Sequence, residues 1–431
     1  MQIKQILKIG LGFILVLMFS YNWIVANEIK SDPGFSDAFE FLYVGLSLAK
    51  TGQYGYFQST RKEILNDFNN PEVIKTKTYI KGESTAFRPP IWPLIIAGIF
   101  FVFGYSLTNI LIFKFLIHLL GIYIFHKTLK LLNFKEYLTI TGTFLYAISP
   151  AWQLYSRLFL SEPITYFFIT LWIYLLIKYI QNKISIIPQA CVAGIIILCH
   201  PYSLFLPFSV WFIMFLTQKL KLKVFIISSV ICISIVSLWV VRNMVAFNTQ
   251  EIIITTSSGE VLAKGWNEKV PKEHTNTQGD LIDVRELYSE FDKNLNKDHF
   301  EVARMKFFKG ATINFLKNNP ELIFPIISKK IKSAFNPLPE SRKAGILEIG
   351  RWFFQLLSFL SMIYLLLWSK NKLIKSLIFG LIFSTIGISL ITYSGFRFRM
   401  PQVGLELLFI IFVLDDIIQR IKGKINPQAS A

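Results

Sequence analysis

Long apolar runs punctuated by lysine and arginine dominate this chain of 431 residues and restrict it to few folds. Most of the runs are about 20 residues long, and at about 1.5 Å per helical residue such a run crosses a hydrocarbon core of about 30 Å. Inside hydrocarbon every backbone N–H and C=O must be bonded within the chain, so a helix satisfies the constraint and a loop or open strand does not. Composition agrees: 53% hydrophobic and only 17% charged, with a mean hydropathy of +0.48, which excludes most soluble enzymes. A net charge of +18 would suggest nucleic acid in a polar protein. Here the basic residues sit between apolar runs, so a membrane surface explains them and no nucleic-acid role is expected. The expected fold class is an all-α polytopic membrane protein.

Spans are expected at 6–26, 107–127, 137–150, 163–180, 187–201, 202–217, 223–241, 351–369, 373–391 and 402–419. The first run follows Lys4 and Lys8 as a signal peptide would, but it has full span length and no small-x-small cleavage site, so a retained helix is expected. The apolar segment from Pro90 to Gly104 is too short to span and is expected to lie in the interface. Ten spans then place Lys4, Lys8, Lys127, Lys130, Lys135, Lys178 and Lys183 on the cytoplasmic side. Lys219, Lys221, Lys223, Lys370, Lys372, Lys375, Arg420, Lys422 and Lys424 fall there too, as the positive-inside rule requires. Both termini are expected in the cytoplasm of a multi-pass protein of the cytoplasmic (inner) membrane. Two long loops, 27–106 and 242–350, would face the periplasm or exterior. Within the second, Phe300 to Leu316 and Glu321 to Phe335 read as amphipathic helices. Cys191, Cys199 and Cys232 lie inside apolar runs without metal-ligand spacing and read as small buried hydrophobes.

The unusual polar residues gather on the outer side. Asp37 opens an amphipathic stretch, where its plainer reading is a first-turn acid that complements the helix dipole. Arg88 stands in FRPPIWP, held by two prolines at headgroup level, and alternatively anchors to lipid phosphate. Glu162 precedes Pro163 at a helix start, and His200 ends a span in CHPYS, where packing is its plainer role. Arg242 closes the seventh span. Arg397 and Arg399, in YSGFRFRMP, share one face if that segment is extended, and two parallel guanidinium groups suit a phosphate. Lys114 and His118, four residues apart, share one face of the second span. No phosphate-binding loop, zinc motif or serine-nucleophile motif occurs, so nucleotide-driven pumping has no support.

These residues together resemble the C-fold (GT-C) glycosyltransferases that use polyprenyl-phosphate sugars, in particular bacterial relatives of protein O-mannosyltransferases and aminoarabinose transferases. The resemblance rests on Asp37 with Tyr43 and the turn Gly52-x-Tyr54, then Arg88-Pro89-Pro90, Trp92-Pro93 and Phe103-Gly104. It continues through Ser149-Pro150, Tyr155-Ser156, Ser161-Glu162-Pro163, Arg242-Asn243, Asn319-Pro320 and Arg397-Phe398-Arg399-Met400-Pro401. It implies a catalytic membrane core over 1–241, an extracytoplasmic loop over 242–350 and C-terminal transmembrane helices over 351–431. It implies Asp37 as general base with Glu162 as the second-loop acid. Arg88, Arg397 and Arg399 would contact donor phosphate, and His200, Arg242 and Tyr43 would bind substrate. A divalent ion shared by Asp37, Glu162 and His200 is compatible with such enzymes, some of which use metal.

The expected function is therefore inverting transfer of a sugar from a polyprenyl-phosphate donor to an acceptor lipid, glycan or protein on the outer face of the membrane. A lipid-linked sugar flippase or polysaccharide polymerase is the alternative; it needs polar residues deep in several spans, for which Lys114 and His118 are the main candidates.

Overall fold

The computed structural model describes Gly10, Gly12, Leu17 and residues 36–271, 285–293, 299–335, 346–393 and 396–425. The expected first span, 6–26, thus lies outside the described residues but for three positions. The rest is mostly helical, consistent with an all-α membrane protein. Among the described residues five helices are long and apolar enough to cross a membrane: Leu107–Leu131, Glu162–Ile180, Leu222–Ala246, Ile349–Trp368 and Lys372–Ile391.

Three expected spans are shorter than the apolar pattern suggests. Glu136–Ala147, Ile187–Cys199 and Phe205–Leu216 contain 12, 13 and 12 residues, about 18 to 20 Å of helix. Prolines account for the C-terminal ends of the first two. Pro150 pushes Ser149 out of helical geometry (φ −47°, ψ 119°), and Pro201 does the same to His200 (φ −149°, ψ 93°). A 3₁₀ turn, Pro201–Ser203, then reverses the chain. A final helix, Val403–Ile425, begins beside Glu406.

One large core joins these helices. It draws Trp172, Trp211, Tyr146 and Cys232 together with Met362, Leu377, Leu408 and Ile411, so the helices after 350 complete the same packing unit as those before 242. At its centre Gln189 Oε1 accepts from both Trp172 Nε1 (2.9 Å) and Trp211 Nε1 (3.0 Å), which satisfies two indoles that burial would otherwise leave unpaired.

The first long loop builds its own core. Helix Ser36–Thr51 packs on helix Ile91–Phe103, with Phe41, Leu46, Trp92 and Ile96 buried between them. Gly45 makes that approach possible: a Cβ there would lie 2.5 Å from Ile96 Cγ2. A small antiparallel ribbon, Gly55–Phe57 with Lys81–Ser84, departs from the all-helical expectation. In the second loop two helices form where expected, Phe300–Asn318 and Ile323–Phe335, joined at Pro320–Leu322, but only the second is clearly amphipathic. Cys191, Cys199 and Cys232 are free thiols, the last two buried.

Candidate functional site

Four charged residues from four segments meet at one end of the bundle. Asp37 lies in the first turn of Ser36–Thr51, Arg88 just before helix Ile91–Phe103, Glu162 at the start of Glu162–Ile180, and Arg397 in the single turn Phe396–Arg399. Arg88 Nη2 lies 2.5 Å from Asp37 Oδ1, Arg397 Nη2 lies 2.7 Å from Asp37 Oδ2, and Arg397 Nε donates to Glu162 Oε1 at 2.6 Å. Charge alternates along the row: cation, anion, cation, anion.

Packing fixes each member. The turn before Glu162 is held by Trp92 Nε1 donating to Phe159 O (2.8 Å) and by Lys114 Nζ donating to Ser156 O (2.6 Å) and Leu158 O. Lys114 is thus a buried brace for the Glu162 turn. His118 contacts Ala147 O (3.1 Å) and stacks on Trp152 at 4.0 Å, so both members of this pair serve the junction of neighbouring helices. Arg88 also rests against the rings of Phe87 (4.8 Å) and Phe41 (5.6 Å).

The row forms one wall of a cavity of about 280 Å³. His200 and Tyr202 line it beside Glu162, and Tyr202 stacks on Phe398 at 3.9 Å. Ile252, Ile254, Val261, Ile388 and Ile391 also line it, together with the hydroxyl residues Thr255, Ser257, Ser258 and Thr392. A molecule with an anionic group and a greasy tail matches this lining. Glu162 Oε2 and His200 Nδ1 have no hydrogen-bond partner among the described residues although both side chains are buried. Buried polar atoms are rarely left so, and both residues belong to the lining of the cavity.

Exposure separates the two acids. Asp37 is 29% exposed and reachable, whereas Glu162 is 2% exposed and shielded. Burial would raise the Asp37 pKa, but Arg88 and then Arg397 outweigh it and hold the carboxyl well below the usual carboxylate range. Arg397 is raised well above its ordinary value because Glu162 and Asp37 outweigh its own desolvation. Burial pushes the His200 imidazole down to about 4, with Glu162 opposing and Arg397 reinforcing the shift.

Three expected site residues lie elsewhere. Arg399 does not share a face with Arg397, because the segment is helical and not extended. Two residues at about 100° each point almost oppositely, and Arg399 turns inward to Glu406 (2.6 Å) and Ala334 O (2.9 Å). Tyr43 is packed: its hydroxyl accepts from Phe57 N–H (3.1 Å) and contacts Phe57 O and Ser59 O. Arg242 donates to Thr85 O (2.8 Å) and Tyr54 O (2.6 Å), joining the two long loops. Asp37, Glu162 and His200 form no ligand set either. Arg397 binds both carboxylates, and among the described residues no group of three His, Cys, Asp or Glu could hold a metal ion.

The sequence reading overlooked Tyr202, Phe398 and Glu301. Tyr202 and Phe398 are adjacent to singled-out residues, and aromatic rings beside chemically active ones were the available signal. Glu301 carries no signal in the sequence, because its partners are more than 40 positions away.

Comparison of the chain with protein-family models, with curated proteins and with solved structures finds no match.

Proposed function

We propose that this protein is an integral-membrane glycosyltransferase of the GT-C type, carrying about ten spans. It moves a sugar from a polyprenyl-phosphate donor to an acceptor hydroxyl on the outer face of the cytoplasmic membrane, with inversion. The observation that carries this reading is the row Arg88, Asp37, Arg397, Glu162 on the wall of a cavity that isoleucines also line. The donor phosphate would engage Arg88 and Arg397, and its isoprenoid tail would leave along the isoleucines.

Asp37 paired with Arg88 and Arg397 is a weak base, because two guanidinium groups stabilise its charge. A donor phosphate competes for those same cations. As Arg88 and Arg397 turn toward phosphate oxygens, Asp37 recovers basicity at the moment an acceptor hydroxyl needs a proton acceptor. The acceptor oxygen then bonds to the anomeric carbon as the carbon–oxygen bond to phosphate breaks. The hydroxyl proton passes to Asp37, and polyprenyl phosphate departs with the bond electrons, its added charge held by the two arginines. No leaving-group acid is needed, and Glu162 keeps Arg397 oriented.

A flippase draws less support, because Lys114 and His118 are engaged by backbone carbonyls and an indole. The test is purified protein in nanodiscs with radiolabelled polyprenyl phosphosugars. Release of free polyprenyl phosphate that depends on an added acceptor is expected; movement of label between leaflets without bond cleavage would falsify the transferase reading.

A further inference from the structure

The segment Thr85 to Pro89, which presents Arg88, belongs to no helix or strand, yet its backbone is bonded from several sides. Thr85 O accepts from Arg242 Nη1 at 2.8 Å, and Arg88 O accepts from the Tyr54 hydroxyl at 2.9 Å. Ala86 O accepts from Thr256 N–H at 2.9 Å. Thr85 N–H donates to Tyr54 O at 3.2 Å and Phe87 N–H to Thr85 Oγ1 at 3.0 Å, and three further donors converge on one carboxylate in the second long loop. Thr85 Oγ1 donates to Glu301 Oε1 (2.6 Å), while Ala86 N–H (3.1 Å) and Thr256 Oγ1 (2.8 Å) donate to Glu301 Oε2. One turn further along the same helix, the Arg304 guanidinium lies over the Phe87 ring at 5.0 Å, and Arg88 lies over that ring at 4.8 Å.

We infer that Glu301 is a positioning residue for Arg88: it clamps the Thr85–Ala86 backbone to the turn at Thr256 and thereby sets where the Arg88 guanidinium meets the cavity. The inference rests on the reading of Arg88 as a donor-phosphate contact. Thr255, Ser257 and Ser258 line the cavity on either side of Thr256, so a single side chain ties the Arg88 segment to a second segment of the lining. Three donors meeting two acceptor oxygens call for a carboxylate, which accepts at every lone pair. An amide keeps one such oxygen, and the Thr85 hydroxyl can turn to accept from its NH₂; a methyl group keeps neither. A misplaced guanidinium forfeits a charge-assisted hydrogen bond to the phosphate, worth about 10- to 100-fold in affinity, so release of this clamp falls on the donor phosphate and spares the acceptor.

The test uses the full chain in nanodiscs and has two readouts. Binding of polyprenyl phosphate is measured directly, and the rate of phenylglyoxal modification at Arg88 and Arg397 is mapped by mass spectrometry. Glu301→Ala is expected to weaken polyprenyl phosphate by about 10- to 100-fold and to label Arg88 several-fold faster, with Arg397 and the acceptor KM unchanged. Glu301→Gln recovers most of both. Gly259→Ala moves the same helix without touching Glu301, since its Cβ would stand 2.3 Å from Met305 O, and the same selective loss is expected. Wild-type labelling and wild-type affinity in Glu301→Ala overturn the inference. So does a parallel decline of donor binding, acceptor KM and thermal midpoint that Gln does not rescue. If the wild-type protein binds no polyprenyl phosphate, the donor reading fails while Arg88 labelling still decides the positioning role.

Discussion

Asp37 carries two ion pairs yet remains partly open, and the proposed role as base makes it the first residue to test. Asp37→Asn is expected to fold and insert normally and to lose transfer altogether; turnover near the wild-type level would remove Asp37 from the chemistry. The pH dependence gives a finer test. In the free protein the carboxyl lies well below the usual range, so the acid limb of kcat/KM for donor should fall beneath that range. With donor bound the arginines are diverted and the limb for acceptor should lie at higher pH; superimposed limbs exclude the exchange of partners. Arg397 and Arg399 separate by function. Arg397→Ala should weaken donor binding. Arg399→Ala leaves Glu406 charged and buried, so it should cost about 3 to 5 kcal/mol of stability while donor affinity in the folded fraction holds.

At the level of elements, the distance between Asp37 and Arg88 is set by two helices that touch at Gly45. Gly45→Ala drives a methyl into Ile96, at a cost of about 1 to 3 kcal/mol, and pushes the Asp37 helix off its partner. Reduced donor affinity together with a lower thermal midpoint is the expected result, and an unchanged affinity would show that the site absorbs the shift. Pro150 and Pro201 were a signal the expected spans 137–150 and 187–201 left unused, since each pushes the residue before it out of helical geometry. The segment after Tyr393 was misread for want of such a signal. FRFRMP fits an extended strip as well as a helical turn, and only contact with Glu162 on one side and Glu406 on the other selects the turn.

Across the whole molecule, the helices alternate so that Asp37, Glu162, His200 and Arg397 lie at one end, and Lys178, Lys219 and Lys372 at the other. Apolar run length and basic punctuation already carry this division, because burying a backbone in hydrocarbon and keeping lysine out of it are strong local constraints. Run length overstated the helices that proline cuts short. Sequence by itself determined the helical class, the end of the bundle where polar residues collect, and five of the residues that line the cavity. Tertiary structure alone decided that Arg397 bridges two carboxylates while Arg399 turns away, that Tyr43 and Arg242 are braces, and that Glu301 reaches the Arg88 segment. Those outcomes depend on helix rotation and on contacts between residues hundreds of positions apart. A rotation of about 100° per residue redirects a side chain completely at negligible change in local sequence preference, so only the packed whole selects it.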